Sequence, residues 1–263
     1  MTRLQIIGGG KMGQALLGGL LDAGWAAPSE VRVVEVLPAL RDDLAARFSG
    51  VTVTDETVGG VDTLVAVKPH AVVEVLSALS PAPTRVLSIA AGITIAAMEE
   101  AVGRSVPVVR VMPNTPSLVG QGASAVAGGA ATSDDDVAWA VSILDAVGEA
   151  VVVPEPLLDA VTGLSGSGPA YVFLVAEAMI DAGVSAGLPA DVARSLATQT
   201  LLGAATLLAS GDSSAAELRA GVTTPAGTTA AGLRVLEQRA VRAAFIDAVQ
   251  AATDRSRQLG EQS

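Results

Sequence analysis

Short apolar runs and longer amphipathic stretches take turns along the first half of the chain. Residues 4–7, 31–36, 51–53, 63–67, 86–89 and 106–111 are rich in Val, Ile and Leu and too short for helices, so they read as buried strands. Between several of them, residues 12–23, 39–48 and 71–79 place apolar side chains at helical spacing. Such alternation predicts βαβ units on a parallel sheet. Ser133 followed by Asp134, Asp135 and Asp136 has the form of a capped, acid-rich first turn, and it predicts a helix to about position 147.

Past about position 157 the strand pattern stops. Residues 170–186 and 190–209 are long helical stretches punctuated by Gly187-Leu188-Pro189. A shorter helix over 215–220 leads into a Gly/Thr/Pro segment, and one last helix runs to about 257, ahead of a polar end over 258–263. Several of these helices are apolar on more than one face. Burial against a second subunit accounts for that, and a well-packed monomer is the alternative. There is no internal repeat.

Composition narrows the classes. Half of the 263 residues are hydrophobic but only 2% are aromatic, so Ala, Val, Leu and Gly must fill the core. That is too apolar for a disordered chain. The 16 basic residues against 27 acidic ones give a formal charge of −11, which speaks against a nucleic-acid partner. No membrane span is expected, because the longest uncharged stretch, residues 111–133, contains Pro113, Asn114, Pro116 and several Gly. Residues 4–7 are too short for the apolar core of a secretion signal. With no Cys, a disulfide scaffold, a thiolate zinc site and a Cys nucleophile are excluded, and no metal is expected. A soluble, cytoplasmic protein is the expectation.

Gly8-Gly9-Gly10-Lys11-Met12-Gly13 supplies G-x-G-x-x-G directly after the first strand and at the start of a helix. Glycines permit a tight turn, a close approach of backbone to pyrophosphate, and close helix–strand packing. The free N–H groups of the helix start then meet the phosphate charge. The motif points to a dinucleotide. Glu35 lies near the end of the second strand, where an acid holds an unphosphorylated ribose. Nearby Arg32 and Arg41 are placed to neutralise a 2′-phosphate instead, with Glu35 turned to solvent. NADPH and NADH both stay open. Lys68, in Val67-Lys68-Pro69-His70 after the fourth strand, is either a cofactor contact or a solvated surface lysine. His70 is as readily a loop residue as a catalytic one.

Subtraction says more. Lys11 and Lys68 are the only lysines, so the second half has no Lys, His or Cys, and Tyr171 is the only Tyr. A hydroxyacid dehydrogenase moves an alcohol proton, usually with a tuned Lys or His. No such residue stands in the second half, and Val175 occupies the place of the lysine in Tyr-x-x-x-Lys. Hydride addition to an imine fits better, since a protonated C=N is already electrophilic and a hydroxyl can serve its nitrogen. Thr223-Thr224-Pro225-Ala226-Gly227-Thr228-Thr229 offers hydroxyls and backbone N–H groups just ahead of a helix, a natural carboxylate site. An ordinary capped helix start with a loop ahead of it is the alternative.

Together these pieces resemble the pyrroline-5-carboxylate reductase family over nearly the whole chain. The resemblance is carried by Ile7-Gly8-Gly9-Gly10-Lys11-Met12-Gly13, Ala66-Val67-Lys68-Pro69, Ser88-Ile89-Ala90-Ala91-Gly92 and Arg110-Val111-Met112-Pro113-Asn114-Thr115-Pro116. Its most specific stretches are Thr162-Gly163-Leu164-Ser165-Gly166-Ser167-Gly168-Pro169-Ala170-Tyr171 and Val222-Thr223-Thr224-Pro225-Ala226-Gly227-Thr228-Thr229.

The resemblance implies an α/β fold. An N-terminal Rossmann-like dinucleotide-binding domain, residues 1–156, precedes an all-α substrate-binding and dimerisation domain, residues 157–263. It also implies reduction of Δ1-pyrroline-5-carboxylate to L-proline by NADPH or NADH, with NADP slightly preferred, in homodimers that can build decamers. By the same likeness the loop from Thr223 through Thr224, Gly227 and Thr228 grips the substrate carboxylate, and the Thr229 hydroxyl meets the ring nitrogen. Glu155 falls near the substrate, Thr54 near the adenosine, and Ala91 and Gly92 on the nicotinamide side. Two departures stand out. Thr224-Pro225-Ala226-Gly227 replaces the family's Ser-Pro-Gly-Gly, and Ala220-Gly221 stands where an acid commonly precedes the loop. If position 226 needs a positive φ, its Cβ costs on the order of 1 kcal/mol. A catalytically impaired dinucleotide sensor on the same fold and a β-hydroxyacid dehydrogenase are the rival readings.

Overall fold

The computed structural model describes residues 2–260; Met1 and residues 261–263, and with them the last residues of the polar end, lie outside it. Eight strands form one sheet: β1 (Leu4–Ile7), β2 (Val31–Val34), β3 (Thr52–Thr54), β4 (Asp62–Val65), β5 (Val86–Ser88), β6 (Val108–Met112), β7 (Gly122–Gly128) and β8 (Gly148–Val152). Their order is β3-β2-β1-β4-β5-β6-β7-β8. The first six are parallel, β7 runs antiparallel to β6, and β8 is parallel to β7. The β1–β4 neighbourhood is the switch point, where successive strands stop being laid down on one side of β1 and start on the other. Ligands of open α/β sheets bind beyond the carboxyl ends of such strands.

Side chains alternate across the sheet, as the period of a strand requires. Leu4, Ile6, Val33 and Leu64 meet helices α1 (Lys11–Asp22), α2 (Pro38–Arg47) and α5 (Asp134–Leu144) through Leu16, Leu20, Leu44 and Ile143. Ile7, Val34 and Val65 face the other way, onto α3 (Val72–Ala78), α4 (Ile95–Val102) and the short α6 (Leu158–Val161). Each fully buried Leu or Ile contributes about 1.5–3 kcal/mol relative to exposure. The expected cap of α5 is present: the Ser133 hydroxyl accepts from the Asp136 N–H, and the Asp136 carboxylate accepts from the Ser133 N–H at 2.9 Å.

Two compact units divide the chain. The first runs to Ser167 and takes back the residues from Gln250 onward; the second is Gly168–Val249. This differs from a cut after position 156. A π-helical turn over Thr162–Gly166 follows α6, and Asn114 Nδ2 donates to its Ser165 carbonyl at 3.0 Å, which keeps that segment with the first unit. The second unit contains α7 (Gly168–Ser185), α8 (Ala190–Ala209), α9 (Ala215–Gly221), α10 (Thr228–Gln238) and the first part of α11 (Val241–Gly260). The single last helix expected from the sequence is thus two helices, parted at Ala240, which takes a left-handed φ of 55°. No helix among the described residues is long and apolar enough to cross a membrane.

Candidate functional site

At the switch point the glycines of the first loop are explained one by one. Gly8 has a φ of +107°, and a Cβ there would sit 2.7 Å from the Ala66 carbonyl carbon. At Gly13 a Cβ would meet the Gly8 carbonyl oxygen at 2.1 Å, so α1 can lie against the loop only without a side chain. At Gly9 it would strike Leu44. Gly10 is different: a Cβ there meets nothing within 4 Å. Packing inside the chain does not ask for that glycine; a ligand that must come close to its backbone does. Gly10 is also the N-cap of α1 and supplies no side-chain hydrogen bond. The first-turn N–H groups, with Lys11 and Met12 at the helix start, suit an anion.

The rest of the expected dinucleotide set gathers at the same strand ends. The Ala66 N–H donates to the Ile7 carbonyl at 2.8 Å, which sets the loop after β4 beside the glycines. From there Val67 leads to exposed Lys68 and Pro69. Thr54 ends β3, and its carbonyl accepts from the Glu35 N–H at 2.8 Å. Ala91 is exposed after β5, and the adjoining Gly92 is buried with a φ of +79°. Glu35 does not turn to solvent. It is 8% exposed, and its Oε2 accepts from the Gly9 N–H at 2.9 Å while Oε1 accepts from the Leu37 N–H at 3.0 Å. One residue the sequence did not single out completes this frame. Gln14 donates to the Gly9 carbonyl at 2.9 Å and accepts from Arg47 at 2.9 Å, so the Gly9 peptide is held on both sides. A glutamine directly after Gly13 is the only sequence signal for it.

Glu155 belongs to the first unit. Its Oε1 accepts from Arg110 at 3.0 Å and from the Ile95 N–H at the start of α4 at 2.8 Å. It therefore ties β6 to α4. The two stretches around Arg110 and Thr162 also meet, through Asn114 on Ser165 and through Gly166, where a Cβ would lie 2.6 Å from Met112.

In the second unit, Thr223 Oγ1 donates to the Arg219 carbonyl at 2.6 Å, closing α9. A tight turn follows, with the Gly227 N–H donating to the Thr224 carbonyl at 3.0 Å. Ala226 takes a φ of 58°, the left-handed region. Gly227 is then the N-cap of α10, again with no side-chain cap. Thr228 and Thr229 are exposed in its first turn, and neither hydroxyl is bonded to another of the described residues. Hydroxyls and backbone N–H groups thus stand together ahead of α10, and no side chain caps it.

Over 99% of its length the chain is 43% identical to the pyrroline-5-carboxylate reductase of Corynebacterium melassecola, and it covers 100% of that protein. This chain belongs to the pyrroline-5-carboxylate reductase family. A second member, from Methanosarcina acetivorans, is 42% identical over 98% of both chains. The solved reductase of Coxiella burnetii superposes with a TM-score of 0.92 at 34% identity, covering 98% of each chain. That of Plasmodium falciparum, solved with NADP bound, gives 0.84 at 29% identity and the same coverage. Residues 155–259 match the family model for pyrroline-5-carboxylate reductase dimerisation, and residues 3–92 match that for NADP oxidoreductase, coenzyme F420-dependent. The chain is accordingly an oxidoreductase with a Rossmann-like domain followed by a mostly helical one that carries self-association.

Proposed function

We propose that the chain reduces the C=N bond of Δ1-pyrroline-5-carboxylate to give L-proline, the last step of proline biosynthesis, at the expense of NADPH or NADH. The observation that carries the substrate side is the uncapped start of α10 beside the free hydroxyls of Thr228 and Thr229, in a unit that has no Lys, His or Cys. In the first unit, Gly8, Gly9, Gly10, Lys11, Met12 and Gly13 hold the pyrophosphate. Glu35 and Thr54 border the adenosine, while Ala66, Val67, Lys68, Pro69, Ala91 and Gly92 line the way to the nicotinamide. When bound, a reduced nicotinamide would supply the hydride that C5 of the protonated imine accepts, turning its C=N bond into the C–N bond of a secondary amine.

In the second unit the N–H groups that open α10, with the hydroxyls of Thr224 and Thr228, take the substrate carboxylate. Thr223 and Gly227, whose donors are bonded to the Arg219, Ala220 and Thr224 carbonyls, shape the loop rather than grip the substrate. Thr229 orients the ring nitrogen and relays its proton from water. Glu155 acts on the substrate at one remove, through the segment it orders. Positioning supplies most of the rate, since effective molarity is worth roughly 7–11 kcal/mol. Homodimers, able to build decamers as the family resemblance implies, and a cytoplasmic setting complete the reading.

Loss of reduced-cofactor absorbance on adding Δ1-pyrroline-5-carboxylate tests it, and no turnover with cofactor binding intact defeats it. Thr229→Val should lower kcat/KM by about 10–100-fold, the loss of one hydrogen bond to a charged group. A change within about twofold removes Thr229 from the mechanism.

A further inference from the structure

The ribose end of the dinucleotide site has a chemistry of its own. In dinucleotide folds an acid at the end of the second strand accepts from the 2′-hydroxyl of NADH, whereas an arginine there neutralises the 2′-phosphate of NADPH. This chain has both residue types, and their hydrogen bonds separate the two cases. Resting on the cofactor assignment proposed above, we infer that the chain binds NADH in preference to NADPH, because a buried, pinned Glu35 faces the ribose and Arg41, which donates to the Glu35 carbonyl, is already engaged.

Glu35 is fixed by the Gly9 and Leu37 N–H groups, and turning it away would leave two backbone donors without partners. A carboxylate only accepts, and each of its oxygens keeps a lone pair for a hydroxyl. A phosphate has no donor to offer and brings like charge. Arg41 is spent elsewhere. Its Nη1 donates to the Glu35 and Val36 carbonyls at 2.9 and 3.1 Å, and its Nη2 pairs with Asp55 at 3.3 Å. Arg32 donates from Nη1 to the Glu56 carbonyl at 3.2 Å, and its Nε, though without a partner, is buried away from a solvent-borne phosphate. Val36 and Leu37, 74% and 59% exposed, present apolar side chains where a phosphate needs donors. The Thr54 hydroxyl, which accepts from the Glu56 N–H at 3.2 Å, leaves a single neutral donor. Asp55 and Glu56 add two more acids to the rim.

Calorimetric titration of the full chain with NADH, NADPH, 5′-AMP and 2′,5′-ADP tests the inference without turnover. NADH should bind at least about tenfold more tightly than NADPH, and 5′-AMP more tightly than 2′,5′-ADP. Glu35→Gln also loosens the Gly9 peptide, so Asp55→Asn is the cleaner variant. It removes an acid and frees Nη2 of Arg41 from its ion pair, and should narrow the NADH/NADPH ratio by about threefold or more, through tighter NADPH binding. Equal or tighter NADPH binding by the parent overturns the inference and leaves the reductase reading standing, as does a ratio unmoved by Asp55→Asn. If neither dinucleotide binds, the reductase reading itself fails.

Discussion

Ala226 is a residue in a glycine's place. The turn from Thr224 to Gly227 closes with Pro225 in its second position and Ala226 in its third, at a φ of 58°. A Pro followed by a positive-φ residue is the pattern of a type II turn, which normally takes Gly third. The chain forms the turn anyway, at a strain of about 1 kcal/mol. The residue is exposed, and its penalty is that of a left-handed backbone. Ala226→Gly should therefore raise stability by about 0.5–1 kcal/mol in urea unfolding, with no loss of activity. A destabilised variant would show that alanine's smaller unfolded-state entropy outweighs the strain.

Among the elements, α5 shows how one helix start is anchored. Ser133 and Asp136 cap each other, and Arg85 reaches Asp62 at 2.8 Å, Asp136 at 3.4 Å and the face of Trp139 at 4.3 Å. Burial works to raise the Asp136 pKa, but the hydrogen bonds from Ser133 and the Arg85 guanidinium prevail and hold it below the usual 3.8. A depressed pKa stabilises the fold above the ordinary value, and the benefit is lost as pH falls through the lowered one. Ser133→Ala should cost about 1 kcal/mol near neutral pH, and the deficit should shrink at about pH 3, as urea midpoints at both pH values would show.

The six parallel strands were legible because Val, Ile and Leu announce strands buried on both faces. β7 and β8 were not, and for a reason. At Gly122 a Cβ would lie 2.2 Å from Ser117 Oγ, and at Gly148 one would lie 2.0 Å from the Gly122 carbonyl. Close approach selects small residues, which carry no strand signal. The break at Ala240 was equally silent, since alanine is the best helix former. In the site, the glycine loop could be read from its spacing after the first strand, whereas the threonine loop read alone as no more than a helix start and took its role from the resemblance. The inward set of Glu35 could not be read, because its partner Gly9 lies 26 positions away.

For the molecule as a whole, the helical unit is unfinished by itself. None of α7 is buried, and Phe173 and Leu174 are 63% and 66% exposed. Apolar helix faces of this kind mark an interface between chains. Leu174→Lys should shift sedimentation toward the monomer and lower activity with it; an unchanged oligomer would place the contact on another face. α11 belongs to both units. Its later residues pack with the first, where Ser256 donates to Asp159 at 2.6 Å and the Gly92 loop lies against Leu259 and Gly260. A ribosome delivers this chain from one end, at about 5–20 residues per second. The dinucleotide unit, begun first, therefore waits on the order of ten seconds for its last piece, until the whole helical unit has been made. The half that starts the protein is the half that is finished last.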